Sequence, residues 1–270
     1  MFEYPQIDPV MFGIGPIKVH WYGMMYLFGF VGAWLLGIWR ARKLPDWSRD
    51  DVSDMILYGA IGAVLGGRIG YILFYKLAWY LENPVGVLRI WEGGMSFHGG
   101  LLGVLIAVWL FARKSDRHFF QVTDFGAPFV PIGLFFGRIG NFINQELWGR
   151  VTDSSWGMVF PLAGPEPRHA SQLYEAVLEG VVLFVVLMIY SRKPRHLGSV
   201  SGMFLVLYAV FRFIVEFARE PDAHLGFIAL DWMTMGQLLS VPMLIAGLAI
   251  LWWSGRQGPD DQGKAGNERN

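Results

Sequence analysis

The sequence predicts an all-α integral membrane protein: seven transmembrane helices, with a small outward-facing cap between the fourth and fifth. Three observations predict it. Only 16% of the 270 residues are charged and 54% are hydrophobic, against about 25% charged in an average soluble domain. Seven stretches approach the length of about 20 mainly apolar residues that a bilayer requires. The Lys and Arg between those stretches fall unequally on alternate sides, as oriented insertion demands.

The stretches are 21–39, 55–75, 93–112, 122–141, 176–191, 198–217 and 232–255; the first and last are free of charge, and the fifth is the shortest. An odd number places the termini on opposite sides. Loops 40–49, 113–117 and 192–195, with the tail from 256, carry thirteen of the 22 Lys and Arg; the alternate side carries six, and Arg68, Arg138 and Arg212 lie inside helices. The predicted orientation is therefore N-terminus out and C-terminus in. The longest outward segment, 147–175, holds Trp148, Trp156, Phe160 and three prolines, which suits an ordered cap better than a slack linker. Residues 1–254 read as one membrane domain. The polar, Gly-rich tail 255–270 reads as disordered. Residues 1–20 lack the basic and then apolar pattern of a cleaved signal peptide.

Composition also excludes function classes. A net charge of zero gives no electrostatic case for nucleic acid. The absence of cysteine rules out disulfides, thiolate metal sites and a cysteine nucleophile. No His/Asp/Glu spacing resembles a metal site, so neither metal nor cofactor is expected.

The stretch GRIGNFINQELWGR, 137–150, follows a greasy run, FGAPFVPIGLFFG. Its charged and amide side chains are costly in hydrocarbon and mark function there. With helices alternating in direction, Tyr22, Arg68, His98, Arg138, Asn141 and the face Tyr208–Arg212–Glu216–Arg219 all fall at the outward depth. Several cations at one depth favour an anionic lipid phosphate, which arginine grips with a planar fork. Blander roles stay open at four positions. Arg68 can bond backbone carbonyls, Arg212 and Glu216 can neutralise each other, and His98 can be a satisfied polar group. Arg138 has no carboxylate three or four residues away in its own helix, and Arg150, beyond the last glycine, is expected to be well solvated. GGRIGY at 66–71 echoes FGRIGN at 136–141, as arginine between glycines that leave room for a ligand. Two other function classes fit less well. An intramembrane lipid hydrolase would use Ser96 and His98, but the G-x-S-x-G pattern lacks its last glycine. A transporter of an anionic solute would show broader internal symmetry.

GRIGNFINQELWGR resembles the signature of the prolipoprotein diacylglyceryl transferases of the bacterial inner membrane. HWYGMMY at 20–26, GGRIGYILFY at 66–75, GGMSFHGGL at 93–101, RHASQLYE at 168–175 and YAVFRFIVEFAREPD at 208–222 fit the family in order; Ala170 departs from an expected proline. The resemblance implies a reaction. The diacylglyceryl group of phosphatidylglycerol passes to the thiol of the lipobox cysteine in a preprolipoprotein signal peptide, and glycerol 1-phosphate leaves. It implies a multi-pass protein in that membrane, with N-terminus and site periplasmic and C-terminus cytoplasmic. It places the important positions on Tyr22, His98, Arg138, Asn141, Glu146, Gly149 and Arg212; catalysis is read onto His98, Arg138 and Arg212, and substrate binding onto Tyr22, Arg138, Asn141, Glu146 and Gly149, with Arg68 and Glu216 as further candidates for binding. His98 would help deprotonate the thiol, the arginines would grip the phosphate, and Gly149 would permit a close approach or an unusual backbone shape.

Overall fold

Backbone N–H and C=O groups have no water to bond in hydrocarbon, so long apolar runs fold as helices. The computed structural model describes residues 1–15, 17–89, 93–221 and 226–257. Among these, six helices are long and apolar enough to cross a membrane: Trp21–Ala41, Arg49–Tyr75, Phe97–Lys114, Phe119–Ile143, Ser171–Tyr190 and Met235–Gly255. A seventh apolar helix, Ser199–Val215, has 17 residues, or about 26 Å at 1.5 Å per residue. The shortest helix is therefore the sixth stretch and not the fifth. The fifth starts at Ser171, five residues before its expected start, and so takes in Glu175. Of the tail 255–270, residues from 258 on lie outside the described residues, as does Asp222 of the family motif.

Small strands and breaks complete the picture. Strand β1 (Phe2–Glu3) pairs in parallel with β4 (Met158–Val159), which pairs antiparallel with β5 (Pro167–Arg168); β2 (Val10–Ile14) and β3 (Ile17–His20) form a hairpin. The helices are α1 (Trp21–Ala41), α2 (Arg49–Tyr75), α3 (Leu77–Glu82), α4 (Phe97–Lys114), α5 (Phe119–Gly126), α6 (Val130–Ile143), α7 (Ser171–Glu175), α8 (Leu183–Tyr190), α9 (Ser199–Val215) and α10 (Met235–Gly255). A 3₁₀ turn, Ala127–Phe129, joins α5 to α6, where Pro128 and Pro131 each remove a helix donor. A π-helical run, Ala176–Val182, joins α7 to α8.

The chain divides into two compact units, Met1–Ala33 with Asp124–Asn270, and Trp34–Thr123. In the second, α2 and α4 meet along small residues at four-residue spacing, Gly62–Gly66–Gly70 against Gly99–Gly103–Ala107. A Cβ on Gly66 would fall 2.7 Å from the Gly103 Cα, and one on Gly70 2.8 Å from the Gly99 Cα. Such stripes let backbones touch where lipid offers no hydrophobic drive for helices to associate. In GGRIGY the glycines thus admit a partner helix, not a ligand. Ser48 and Asp51 form a reciprocal capping box that starts α2.

In the first unit, α9 packs on α10 through Gly202 and Gly247, and Gly180 of the π-helical run lies against Phe135 of α6. The segment 144–170 is ordered around a small core of Tyr4, Phe142, Phe160 and Ala170, with Trp148, Met158 and Leu173 packed on it. The Tyr4 hydroxyl donates to the Ile143 carbonyl at 2.9 Å. Burial pushes its phenol pKa up, so Tyr4 keeps the proton it donates, and β1 is tied to the end of α6.

Candidate active site

The signature stretch leaves its helix through a strained turn. Gln145 and Leu147 have φ of 53° and 56°, a region that bulky L residues occupy reluctantly. Two fully buried side chains of α7 hold the turn: Gln172 Nε2 donates to the Glu146 carbonyl (2.6 Å) and Ser171 Oγ to that of Leu147 (2.9 Å). The Glu146 side chain then accepts from Asn141 (3.4 Å) and Asn144 (3.0 Å). Asn141 and Glu146 also lie beside the Tyr22 hydroxyl, which meets that of Tyr26 at 3.1 Å. Tyr22, Asn141 and Glu146 therefore form one polar strip.

Gly149 meets a need for space. A Cβ there would run into the Ala218 carbonyl oxygen and lie 2.6 Å from that of His169; its φ is not in the left-handed region. Its N–H donates to His169 O (2.8 Å) and that of Arg150 to Ala218 O (2.9 Å). The signature is thereby stitched between residue 169 and the end of α9. The freely solvated Arg150 is overturned: half-buried, it donates through Nε to the Arg219 carbonyl (2.9 Å) and through Nη2 to that of Glu216 (3.5 Å).

Arg138 and Arg212 converge on a carboxylate that sequence reasoning did not nominate. Glu175 is fully buried and touches three arginines: Arg138 Nε at 2.7 Å, Arg212 Nη1 at 2.6 Å and Arg219 Nη1 at 3.2 Å. Glu179, one turn on and equally buried, lies 3.4 Å from Arg138 Nη2 and 3.8 Å from Arg212 Nη1. Glu216 pairs with Arg212 at 2.7 Å, as the i,i+4 spacing allows. Arg138 thus has carboxylate partners, supplied by another helix. The formal charges of Arg138, Arg212 and Arg219 cancel those of Glu175, Glu179 and Glu216, so these six do not present the surplus of cations that the sequence suggested. One signal was available: two carboxylates four apart in the apolar run from 173 to 190 mark an intramembrane site by themselves.

Arg68 is a clasp. It is 4% exposed, and all five of its N–H donors reach carbonyls: Nε to Val87 (3.1 Å), Nη1 to Gly93 (2.5 Å) and Gly94 (3.3 Å), Nη2 to Gly86 (2.6 Å) and Arg89 (3.1 Å). These carbonyls take up the donors with which Arg68 was expected to bind substrate. His98 is exposed in the first turn of α4. Ser96, which a hydrolase would use, is 6% exposed and caps α4 by accepting from the Gly99 N–H. Arg68 and His98 belong to the second unit; Tyr22, Arg138, Asn141, Glu146, Gly149, Arg212 and Glu216 belong to the first.

Comparison with known proteins places this arrangement. The profile of a family described as prolipoprotein diacylglyceryl transferase matches residues 9–253. A phosphatidylglycerol–prolipoprotein diacylglyceryl transferase of Chromohalobacter salexigens is 61% identical over 261 residues, 97% of each chain. Proteins of the same name from Pseudomonas paraeruginosa and Legionella pneumophila subsp. pneumophila are each 57% identical. The first match covers 95% of this chain and 97% of the relative, the second 95% and 100%. With identity at this level and a match along almost its whole length, the chain belongs to the prolipoprotein diacylglyceryl transferase family.

Proposed function

We propose that this protein transfers the diacylglyceryl group of phosphatidylglycerol to the thiol of the lipobox cysteine of preprolipoproteins. The sulfur attacks the glycerol carbon that bears the phosphate, a C–S bond forms, and the C–O bond breaks. Glycerol 1-phosphate leaves with the bonding electrons. His98, whose ring is exposed, takes the thiol proton, because a thiol of pKa about 8.5 is mostly protonated at neutral pH.

The observation that carries this reading is the sharing of Glu175 by Arg138 and Arg212. One carboxylate ties two guanidinium groups together, and both keep some exposure, 16% and 15%. Arg138 keeps Nη1, and Arg212 its Nε, outside these ion pairs. Those donors stabilise the charge that grows on the phosphate as the C–O bond breaks. Tyr22, Asn141 and Glu146 orient the glycerol headgroup, Gly149 keeps the signature close to α9, and Glu216 holds Arg212. Arg68 contributes at one remove, by holding the backbone ahead of His98. The site faces the periplasm in a seven-span arrangement in the bacterial inner membrane, N-terminus out and C-terminus in, with 147–175 as its cap and 255–270 as a loose tail.

The test is turnover of purified protein with phosphatidylglycerol and a lipobox peptide, read by mass spectrometry. A thioether on the cysteine peptide and none on its serine counterpart is expected; release of diacylglycerol without acceptor would sink the reading in favour of a hydrolase. The orientation predicts that an external thiol probe labels Asp153→Cys but not Lys193→Cys in intact cells, and reversed labelling would overturn it.

A further inference from the structure

We propose that the first turn of α10 is a positioning element for Arg212, acting through Glu216; Thr234 and Gly236 are its working residues. The proposal rests on the reading that Arg212 serves the phosphate.

Glu216 is 4% exposed, and its two oxygens have different duties. Oε2 lies 2.7 Å from Arg212 Nη2. Oε1 accepts from the hydroxyl of Thr234 at 3.0 Å. Thr234 is 2% exposed, and the same hydroxyl also caps α10, accepting from the Gln237 N–H at 3.3 Å, while Gln237 Oε1 accepts in return from the Thr234 N–H at 3.0 Å. The capping contact occupies the lone-pair side of the hydroxyl, so its one proton is directed to Glu216.

Gly236 makes the seat. A Cβ there would fall 2.6 Å from the Glu216 Cδ and 2.7 and 2.8 Å from its oxygens, and no left-handed φ demands the glycine. The carboxylate lies against the start of a 21-residue helix, where unpaired N–H groups and the helix dipole favour an anion. Trp232 stacks on Phe217 at 5.8 Å, holding the residue before Thr234's turn beside the one after Glu216. Arg212 therefore has one carboxylate partner whose position is fixed from outside α7 and α9. Glu175 and Glu179 supply charge; Glu216, seated on α10, supplies angle.

The experiment measures thioether formation per folded protein, with thermal stability recorded for the same samples. Thr234→Val keeps the shape and removes the donor. It should lower kcat about 10-fold or more, as loss of a hydrogen bond to a charged group does, with little change in the KM for phosphatidylglycerol. Thr234→Ser should recover most of the rate. Gly236→Ala, with the hydroxyl intact, should lower kcat in the same way. In an Arg212→Lys background, Thr234→Val should add little further loss, because its effect passes through the guanidinium. Lowered stability with wild-type kcat for Thr234→Val, or a full additive loss in the Arg212→Lys background, would overturn the proposal. Wild-type protein that makes no thioether in this assay would instead strike the functional reading beneath it.

Discussion

The tetrapeptide Gly-Arg-Ile-Gly occurs at 67–70 and again at 137–140, and the two copies end in opposite chemistry. Arg68 spends its donors on five backbone carbonyls; Arg138 spends its own on Glu175 and Glu179. The glycines differ as well. Gly70 lies against Gly99 and Ser96 of the α4 region and Gly140 against Tyr22 and Met25 of α1, whereas Gly137 has open space around its missing Cβ. Carbonyl dipoles satisfy a buried guanidinium without neutralising it, which suits an arginine whose task is to hold a loop. Carboxylates neutralise it, and its remaining donors can serve a third party. A short motif therefore says that an arginine is buried; the elements packed around it decide what the arginine does.

The largest difference between the copies should show when each arginine becomes lysine. Arg138→Lys replaces a fork with a point charge. Loss of a charge-assisted hydrogen bond in a dry site should cost about 1.5–3 kcal/mol, or roughly 10- to 150-fold in the rate of thioether formation, in protein that still folds. Arg68→Lys leaves three donors for five carbonyls. It should lower thermal stability, by about 1–3 kcal/mol per carbonyl left bare, with near-normal activity in the folded fraction. Equal losses of activity per folded molecule would erase the distinction between clasp and site.

A smaller contrast lies in the glycines. Gly70→Ala forces a methyl group against the α4 backbone and should destabilise by about 1–3 kcal/mol. Gly137→Ala meets nothing within 4 Å and should be neutral, or stabilising by up to about 1 kcal/mol through the unfolded chain. Melting curves of the two variants in one detergent decide it; similar losses would mean that both copies are packing motifs of one kind.

Much of this was legible in the sequence, for physical reasons that also explain the omissions. Apolar length and the Lys/Arg bias need only local counting, so the long helices could be read directly. Helix α3 and strands β1, β4 and β5 are too short for any periodicity to accumulate. The start of the fifth helix was placed late because 171–175 is polar, and that hid Glu175. Gln172 and Ser171, which brace the turn at 146–147, looked like ordinary helix-start residues, since their partners lie 26 and 24 positions away. The pairing of Arg138 with a carboxylate 37 residues distant cannot be read from spacing, because it depends on which helices become neighbours. The Arg150 contact with residue 219 fails for the same reason.

The balanced cluster of three arginines and three glutamates bears on inhibition. Its six formal charges sum to zero, so the cluster exerts little long-range pull on inorganic phosphate or other small anions in bulk water. Simple anions should compete poorly, and activity should tolerate added salt. Glycerol phosphate, once released, has no net attraction from the cluster to hold it back, which favours product release over trapping. An effective inhibitor has to bring an acyl chain that reaches membrane depth together with an anion shaped to take donors from two guanidinium groups at once.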